Sequence, residues 1–317
     1  MTPEFALIDR LFRRPTRHTR LGIGDDAALV AVAPGHELAV STDLLVEGTH
    51  FLPTADAASL GWKTLAVNVS DMAAMGVQPR WATLGIAIPP TAAAAASWLE
   101  AFADGFFACA QAFDIDLIGG DTTRGHDRQR CFAVTIFGEV PSGTALRRDG
   151  AKVGDTIWVS GHPGRAALGL AQLQGRTALP EGEDADCLNA LHKPQPRLAL
   201  GLALRGIAHS AIDVSDGLLA DLGHILESSA CAACLSIPDL PPAGIRRDAF
   251  LAGGDDYELV FTAAAAQDVA VGQLARTLDL PLHRIGHIES GAAGRLRLLD
   301  SAGGDITPAR RGFDHFV

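Results

Sequence analysis

Short apolar runs that end in aspartate recur along the chain, and longer alanine-rich stretches lie between them. The runs have the length of β-strands, whereas the longer stretches have the period of amphipathic helices. Strands that alternate with helices predict a layered α/β or α+β structure, in which helices cover mixed sheets. Residues at the carboxyl ends of strands collect in one crevice of such a sheet. The aspartates that end the runs are Asp43, Asp121, Asp213, Asp216, Asp255 and Asp256.

A polar, glycine-rich stretch from Gly143 to Thr156 separates two such patterns. The length of 317 residues is that of about two domains, each large enough to bury its own core. We therefore predict an N-terminal domain at 1–142 and a C-terminal domain at 143–317.

Periodicity and turn residues place the elements of each domain. In the N-terminal domain we predict strands at Glu37–Thr42, Trp81–Ile88, Ile115–Ile118 and Cys131–Val140, and helices at Ala57–Met75 and Thr91–Phe113. In the C-terminal domain we predict strands at Ile157–Ser160, Ala211–Val214, Tyr257–Thr262, His283–Ile288 and Arg295–Leu299. Helices are predicted there at Gly164–Leu173, Pro196–Ala208, Leu218–Ser228 and Ala264–Leu278, with an acidic loop at Leu179–Asp186.

The charge balance argues against nucleic acid as a partner. The chain carries 37 Asp and Glu residues against 26 Lys and Arg residues, a net charge of −11. Such a surface repels phosphate backbones, although divalent cations can still bridge it to a small phosphorylated substrate. We also expect no membrane span, because the most apolar stretch, Trp81–Ala96, is short and is broken by Pro89 and Pro90.

Cysteine usage and the N-terminus favour a cytoplasmic location. The five cysteines have no regular spacing, which fits a reducing compartment, and residues 1–20 lack the apolar core of a signal peptide. Cys231 and Cys234 match C-x-x-C, but no second ligand pair follows at zinc spacing, so we expect an incidental buried pair.

The aspartates point to a hard metal ion. Asp25 and Asp26 follow a Gly-x-Gly turn, and Asp71 interrupts an apolar helix. Each of them alone is explained by a helix cap or an Asx turn. Two carboxylates about 4 Å apart, however, repel each other by roughly 4 kcal/mol at an effective dielectric constant near 20. A convergent set therefore requires a cation, and carboxylate with hydroxyl ligands favours Mg²⁺, which also binds substrate phosphates.

Other nucleotide and nucleophile motifs are weak or absent in the sequence. The chain has no P-loop consensus. Residues 22–27 fit a relaxed dinucleotide fingerprint, but no apolar strand precedes them, and two carboxylates stand where a pyrophosphate would approach. No Ser-His-Asp or Cys-His constellation is evident.

Segments in a fixed order along nearly the whole chain resemble the thiamine-monophosphate kinase family. They are GIGDDAAL at 22–29, STDLLVEGTHF at 41–51, VNVSDMAAMG at 67–76, LIGGDTTRG at 117–125, RDGAKVGD at 148–155, AIDVSDGLLADLGHI at 211–225, GGDDYEL at 253–259 and GFDHF at 312–316. Some of these segments are shared with a wider superfamily of ATP-using enzymes related to aminoimidazole ribonucleotide synthetase. The resemblance implies the two-domain fold of that superfamily and a homodimer formed through the N-terminal domain. It also implies ATP-dependent phosphorylation of thiamine monophosphate to thiamine diphosphate, with the active site between the domains.

The resemblance also implies roles for individual residues. Those implied as metal ligands are Asp26, Ser41, Thr42, Asp43, Asp71, Asp121, Asp213 and Asp216. Those implied as ATP contacts are Gly120, Asp121, Arg148 and Ser215, with Arg147 as the alternative to Arg148. Those implied as thiamine phosphate contacts are His50, Asp255 and Phe313. Asp255 stands where the family usually has Glu, and Phe313 stands where Tyr or Trp is more usual.

Phosphoryl transfer of this kind needs little covalent help. The acceptor is an anionic phosphate oxygen, so we expect direct in-line attack on the γ-phosphorus, with Asp43 and Asp71 acting through Mg²⁺ and no separate general base. Three alternatives remain at this point. They are a related ATP-dependent synthetase, a non-catalytic module that binds nucleotide or thiamine phosphate, and a dinucleotide oxidoreductase.

Overall fold

The computed structural model describes residues 8–89, 96–125 and 129–313 of the chain. It has the predicted mixed α/β character and separates into two compact units. The first unit runs to Met72, resumes at Val77 and ends at Ser142. The second comprises residues 73–76, which we had assigned to the N-terminal domain, together with the chain from Gly143 onward.

A four-stranded sheet in the order β3-β6-β4-β5 forms the centre of the first unit. Its strands are β3 (His36–Val46), β4 (Gln78–Ile88), β5 (Asp116–Arg124) and β6 (Cys131–Pro141). β6 pairs antiparallel with both β3 and β4, whereas β4 and β5 are parallel. A separate antiparallel pair is formed by β1 (Thr19–Leu21) and β2 (Leu29–Val30).

Two helices in the first unit, α1 (Ala57–Ala74) and α2 (Ala96–Ala112), pack closely against each other. At their crossing, a Cβ on Gly61 would collide with the carbonyl oxygen of Phe102, and a Cβ on Gly105 would collide with that of Ala58. Glycine therefore allows the two backbones to touch. Phe102 stacks on Phe132 of β6 at 4.6 Å, which links this helix pair to the sheet. The predicted start of the second helix, at 91–95, lies outside the described residues.

The second unit is built on a six-stranded sheet in the order β12-β9-β11-β7-β10-β8. Its strands are β7 (Asp155–Ser160), β8 (Ala208–Val214), β9 (Ala232–Leu235), β10 (Glu258–Ala264), β11 (Leu282–Glu289) and β12 (Leu296–Leu298). Its helices are α3 (Arg165–Leu173), α4 (Glu183–His192), α5 (Leu198–Leu204), α6 (Leu218–Ser228), α7 (Ile245–Ala252) and α8 (Asp268–Thr277). Leucine and isoleucine side chains of α6 join the apolar core with residues of the sheet.

The structure corrects the predicted acidic loop. Helix α4 begins at Glu183, inside the range predicted as a loop, because Glu183, Asp184 and Asp186 form an acidic first turn that suits the helix dipole. Strand β9, which no pattern predicted, contains Cys234, while Cys231 precedes it. Both thiols are buried and free, as expected for an incidental pair. None of the helices in the described part of the chain has the length and hydropathy needed to cross a bilayer.

Candidate active site

A cavity of about 540 Å³ in the first unit is lined by residues of β5 and by the turn at 24–26. The segment that leads to this turn is anchored to β5, where the buried Asp116 carboxylate accepts hydrogen bonds from the main-chain N–H groups of Arg17 and His18, at 2.7–3.0 Å. Asp26 and Asp121, both predicted metal ligands, line this cavity together. Its volume falls within the usual range for small-molecule sites.

Gly120 also lines the cavity, and the structure shows why this position requires glycine. A Cβ on Gly120 would collide with the carbonyl oxygen of Leu84 on the neighbouring strand β4. The close approach that requires glycine is therefore between two strands. Arg13, which sequence reasoning missed, lines the same cavity and is hydrogen-bonded to Asp9 at 3.1 Å.

A second group of predicted ligands lies where β3 meets α1. The Ser41 hydroxyl donates a hydrogen bond to the Asp71 carboxylate at 2.5 Å. Asp43 follows on the same face of β3, and its N–H donates to the side-chain oxygen of Asn68, which lies less than one helical turn before Asp71. The Asp71 carboxylate, which interrupts a largely apolar helix, thus has a hydroxyl donor.

The Thr42 side chain is not part of this group. Alternate residues of a strand point to opposite faces of the sheet. The Thr42 hydroxyl accordingly bonds to that of Thr135 on the other face, at 2.9 Å. Thr42 therefore cannot act as a ligand beside Ser41 and Asp71 through its side chain, which corrects the prediction.

The first unit holds its acids in two groups. Strands β3 and β5 are the two edges of the sheet, and β4 and β6 lie between them. Asp26 and Asp121 lie at the β5 edge, and Ser41, Asp43 and Asp71 lie at the β3 edge. The cavity at the β5 edge is lined by Asp26 and Asp121, and its lining does not include Ser41, Asp43 or Asp71.

His50 lies in the turn that follows β3 and is half-buried. The main-chain N–H of Val46 donates to His50 Nδ1 at 3.0 Å, and the N–H of His50 donates back to the Val46 carbonyl at 2.9 Å. The orientation of the imidazole is therefore set by its own turn.

In the second unit, Asp213 lies near the end of β8, and Ser215 and Asp216 lie in the loop that follows it. The carboxylate of Asp221 accepts hydrogen bonds from the N–H groups of Ser215, Asp216 and Gly217 at 3.0–3.1 Å. Burial raises the pKa of Asp221 to about 7, and the negative charges of Asp213 and Asp216 act in the same direction. Sequence reasoning missed Asp221, although its place in the first turn of α6 was a usable signal for a cap.

Two further segments converge on this loop through their main chains. The N–H of Asp255 donates to the carbonyl of Ser215 at 2.8 Å, and the N–H of Phe313 donates to that of Asp216 at 2.9 Å. Preceding glycines permit both approaches, since a Cβ on Gly254 would lie 2.5 Å from the Ser215 carbonyl oxygen. Ser215 and Asp216 are thus brought together with the segments of Asp255 and Phe313 around one loop.

The segment from Asp255 to Tyr257 has an unusual backbone. Asp255 and Tyr257 have left-handed φ values of +70° and +53°, which non-glycine residues seldom adopt. Asp256 between them is half-buried, and its carboxylate accepts the N–H groups of Gly164 and Ala166 at the start of α3, at 2.5 and 3.2 Å. The Tyr257 hydroxyl donates to Asp255 at 3.0 Å, a contact that the sequence alone did not suggest.

Arg147 and Arg148 differ in what they contact. The Arg147 guanidinium forms two hydrogen bonds with Asp149, at 2.7 and 2.9 Å. Arg148 begins a short 3-10 turn, and its carbonyl accepts the Ser229 hydroxyl at 2.8 Å. Within the described ranges, Arg148 forms no ion pair.

The chain is similar to known proteins over most of its length. Residues 24–140 match the family described as AIR synthase related protein, N-terminal domain. The thiamine-monophosphate kinase of Salmonella typhimurium is 45% identical over 332 residues, covering 99% of this chain and 98% of that relative. The crystal structure of thiamine-monophosphate kinase from Stenotrophomonas maltophilia K279a matches with a TM-score of 0.82 at 48% identity, covering 93% of this chain and 96% of that one. The structure of AaThiL complexed with AMPPCP and TMP matches with a TM-score of 0.76 at 26% identity, covering 99% and 96%. By its identity to these relatives over almost its full length, the chain belongs to the thiamine-monophosphate kinase family.

Proposed function

We propose that this enzyme transfers the γ-phosphoryl group of ATP to thiamine monophosphate, which yields thiamine diphosphate and ADP. Membership of the family supports the reaction class. The structural observation that carries the proposal is the loop after β8, where Ser215 and Asp216 meet the segments of Asp255 and Phe313. That loop brings carboxylates and an aromatic residue together, which suits a cation-bound phosphate and the ring of a cofactor precursor.

Mg²⁺ is the cation that fits the proposed site. The donors gathered in the two units are carboxylate and hydroxyl oxygens, which hard divalent cations prefer. Burial is the main cause of the raised pKa of Asp221, and the negative charges of Asp213 and Asp216, which a cation would offset, add to it. The proposed ligands are Asp26, Ser41, Asp43, Asp71, Asp121, Asp213, Asp216 and, through its main-chain carbonyl, Thr42. When bound, Mg²⁺ would reduce the electrostatic repulsion between ATP and thiamine monophosphate.

ATP is proposed to contact Gly120, Asp121, Arg148 and Ser215. Gly120 and Asp121 line the cavity at β5, which supports a phosphate chain bound at that edge. Arg148 is favoured over Arg147, because Asp149 already engages the Arg147 guanidinium. An arginine without an ion pair offers its planar donors to phosphate oxygens.

Thiamine monophosphate is proposed to contact His50, Asp255 and Phe313. The Phe313 side chain is 45% exposed, so its ring is accessible to a ligand. An aromatic face suits a cationic thiazolium ring. The Asp255 carboxylate is one methylene shorter than the usual Glu, and its hydrogen bond from Tyr257 orients it.

The chain's own residues orient the reactants and do not remove a proton. The attacking oxygen belongs to a phosphate that is already anionic, so no strong base is required. Asp43 and Asp71 would hold the cation, and the Ser41 hydroxyl fixes the Asp71 carboxylate. The Arg148 guanidinium binds phosphate oxygens and aligns them for in-line transfer.

The enzyme is proposed to act as a homodimer in the cytoplasm. The sheet of the first unit has an outer face, defined by Leu38, Val40 and Leu44 of β3, whose side chains are 44%, 55% and 52% exposed. Burial against a second copy of the chain would remove such an apolar face from water. The cytoplasmic assignment rests on the cysteines, which are all free thiols, as a reducing compartment would keep them.

An assay of the purified enzyme with Mg-ATP and thiamine monophosphate tests the reaction. We expect equal amounts of thiamine diphosphate and ADP, separated by chromatography, and no product when EDTA removes the metal. ADP without thiamine diphosphate would favour a related synthetase with another acceptor, and ATP binding without ADP would favour a non-catalytic module. Either outcome across a range of pH and divalent cations would refute the proposed function.

A further inference from the structure

The turn that carries His50 fixes which imidazole nitrogen holds the proton. A main-chain N–H can only donate, so His50 Nδ1, which faces the N–H of Val46 at 3.0 Å, must accept. The neutral ring therefore carries its proton on Nε2. A second hydrogen bond, from the N–H of Gly48 to the Phe51 carbonyl at 2.8 Å, closes the same turn. His50 is thereby defined as a hydrogen-bond donor at Nε2.

Arg130 ties both ends of this turn together. Its Nε donates to the Glu47 carboxylate at 2.6 Å, and the same carboxylate oxygen accepts the main-chain N–H of Arg130 at 3.1 Å. The N–H of Glu47 donates in return to the Arg130 carbonyl at 3.0 Å. On the far side of the turn, Nη2 of Arg130 donates to the Pro53 carbonyl at 2.8 Å. One side chain thus contacts residues before and after His50.

Aromatic rings link this arginine to the core of the first unit. The Arg130 guanidinium lies over the rings of Trp98, at 4.9 Å, and Phe51, at 5.7 Å. Trp98 stacks in turn on Phe102 and Phe132, at 5.7 and 6.3 Å. Arg130 and Glu47 are only 11% and 12% exposed. The turn is therefore held against packed helix and strand residues.

The ion pair between Arg130 and Glu47 by itself adds little to the stability of the fold. Burial of two charges carries a desolvation cost that often matches their attraction, so an apolar pair of similar volume would serve stability equally well. What the pair does provide is directional hydrogen bonds, which select one conformation of the turn. That property matters for a residue whose ring nitrogen must face a ligand.

We propose that Arg130 is a positioning residue, which together with Glu47 holds the 46–51 turn so that His50 Nε2–H donates a hydrogen bond to thiamine monophosphate. This inference rests on the proposed function, in which His50 contacts that substrate. Arg130 itself touches neither the substrate nor the reacting atoms.

Steady-state kinetics of R130M, H50A and the double variant test the proposal. Each single variant is expected to raise the KM for thiamine monophosphate about tenfold, the effect of one hydrogen bond to a charged group, with kcat and the KM for ATP little changed. The double variant is expected to be no worse than H50A, because both changes remove the same interaction. A KM for thiamine monophosphate that rises about a hundredfold in the double variant, or that is unchanged in R130M, overturns the proposal.

Two further variants distinguish a positioning role of Arg130 from a nonspecific effect of losing an arginine. R130K keeps the charge but not the planar fork, so its KM is expected to lie between those of wild type and R130M. R297M removes an arginine of the second unit that pairs with Glu289 at 3.0 Å, and it is expected to leave the KM for thiamine monophosphate unchanged. If R130K and R297M raise the KM equally, the positioning role is wrong.

Nitrogen-15 NMR of labelled histidine tests the inference without substrate. Wild-type His50 is expected to show the Nε2–H tautomer, and R130M is expected to show mixed tautomers. A wild-type Nδ1–H signal contradicts the inference even if the kinase reaction is present. Absence of thiamine diphosphate formation with the Nε2–H tautomer intact contradicts the proposed function instead.

Discussion

Asp71 lies within a largely apolar helix, and a hydroxyl from the neighbouring strand stabilises it there. A buried carboxylate without partners would cost several kcal/mol. Ser41 offsets part of this cost by donating at 2.5 Å, and both residues are among the proposed ligands. The sequence could indicate Asp71, because a charge in an apolar helix is conspicuous. It could not indicate the partner, because Ser41 is distant in the chain.

We expect Asp71→Asn to fold normally and to lower turnover by about a hundredfold or more. The amide keeps the size of the side chain and can still accept from Ser41, but it lacks the charge that binds a cation. Phosphate-transfer kinetics and circular dichroism measure the two effects. Asp104→Asn, on the exposed side of α2, is the matched control and should retain full activity. Wild-type turnover in Asp71→Asn would contradict the assignment.

Gly120 and Thr42 show where residue-level reasoning was incomplete. The resemblance implies Gly120 as an ATP contact, and strand β4 beside it independently excludes a Cβ at that position. The resemblance also implies Thr42 as a metal ligand with Ser41 and Asp43, yet alternation along β3 turns the Thr42 side chain to Thr135. Both observations concern contacts between strands, which become visible only when the pairing of β3 with β6 and of β4 with β5 is known.

Elements with a clear apolar period were predicted well, and those without one were missed. Helix α6 occupies the predicted range Leu218–Ser228, where the buried leucines recur at helical spacing. Helix α4 was missed because its acidic first turn reads as a solvated loop. Strand β9 is short and rich in alanine and cysteine, a composition with little strand preference. Tertiary packing, which a single sequence does not display, stabilises these weak segments.

At the level of helix packing, Gly105→Ala and Gly223→Ala should have opposite effects. A Cβ at Gly105 would collide with the Ala58 carbonyl oxygen, so we expect the free energy of unfolding to fall by about 2 kcal/mol. A Cβ on Gly223 of α6 meets no atom within 4 Å, so alanine should raise the free energy of unfolding by about 0.5–1 kcal/mol. Urea denaturation measures both. Equal effects would contradict the close crossing of α1 and α2.

The turn after β3 should stabilise the fold in a pH-dependent way. Burial by itself raises the pKa of Glu47, but hydrogen bonds and charge from Arg130 outweigh it, and the pKa lies below its ordinary value of 4.5. A lowered folded-state pKa means that the stabilisation is present above the unfolded value and is lost as the pH falls through the folded value.

We therefore expect Glu47→Gln to be less stable than wild type by about 2 kcal/mol at pH 7. The difference should shrink as the pH falls below about 4.5, because wild-type Glu47 then becomes protonated. Denaturation curves of the two proteins from pH 7 to pH 3 provide the measurement. If the difference in free energy of unfolding between the two proteins widened towards low pH, the pair of Glu47 and Arg130 would not act as described.

At the scale of the whole molecule, the net charge and the apolar outer face of the first unit's sheet have opposite effects on association between copies of the chain. The net charge of −11 disfavours association between copies through general electrostatics. The exposed apolar side chains of β3 favour it locally, and Val40 lies opposite Phe137 in the register of the sheet. The sequence indicated acids from both halves of the chain, but it could not show that those of the first unit divide between two edges of one sheet.

Sedimentation velocity should detect a dimer of the 33.1 kDa chain, and Val40→Glu should convert it to monomer. The substitution places a charge in the middle of the apolar face, where a partner would have to desolvate it. Val269→Glu, at a position that is 72% exposed in the second unit, is the control and should stay dimeric. A monomeric wild type at micromolar concentration would refute the proposed dimer.

The loop after β8 receives Asp255 and Phe313 through main-chain hydrogen bonds, and a change of either side chain leaves those bonds in place. The framework of the loop is thus separable from the groups that it displays. Ligand preference can drift by single substitutions during evolution, without a rebuilt scaffold. Asp255 and Phe313 are two positions at which such drift would change only the displayed group.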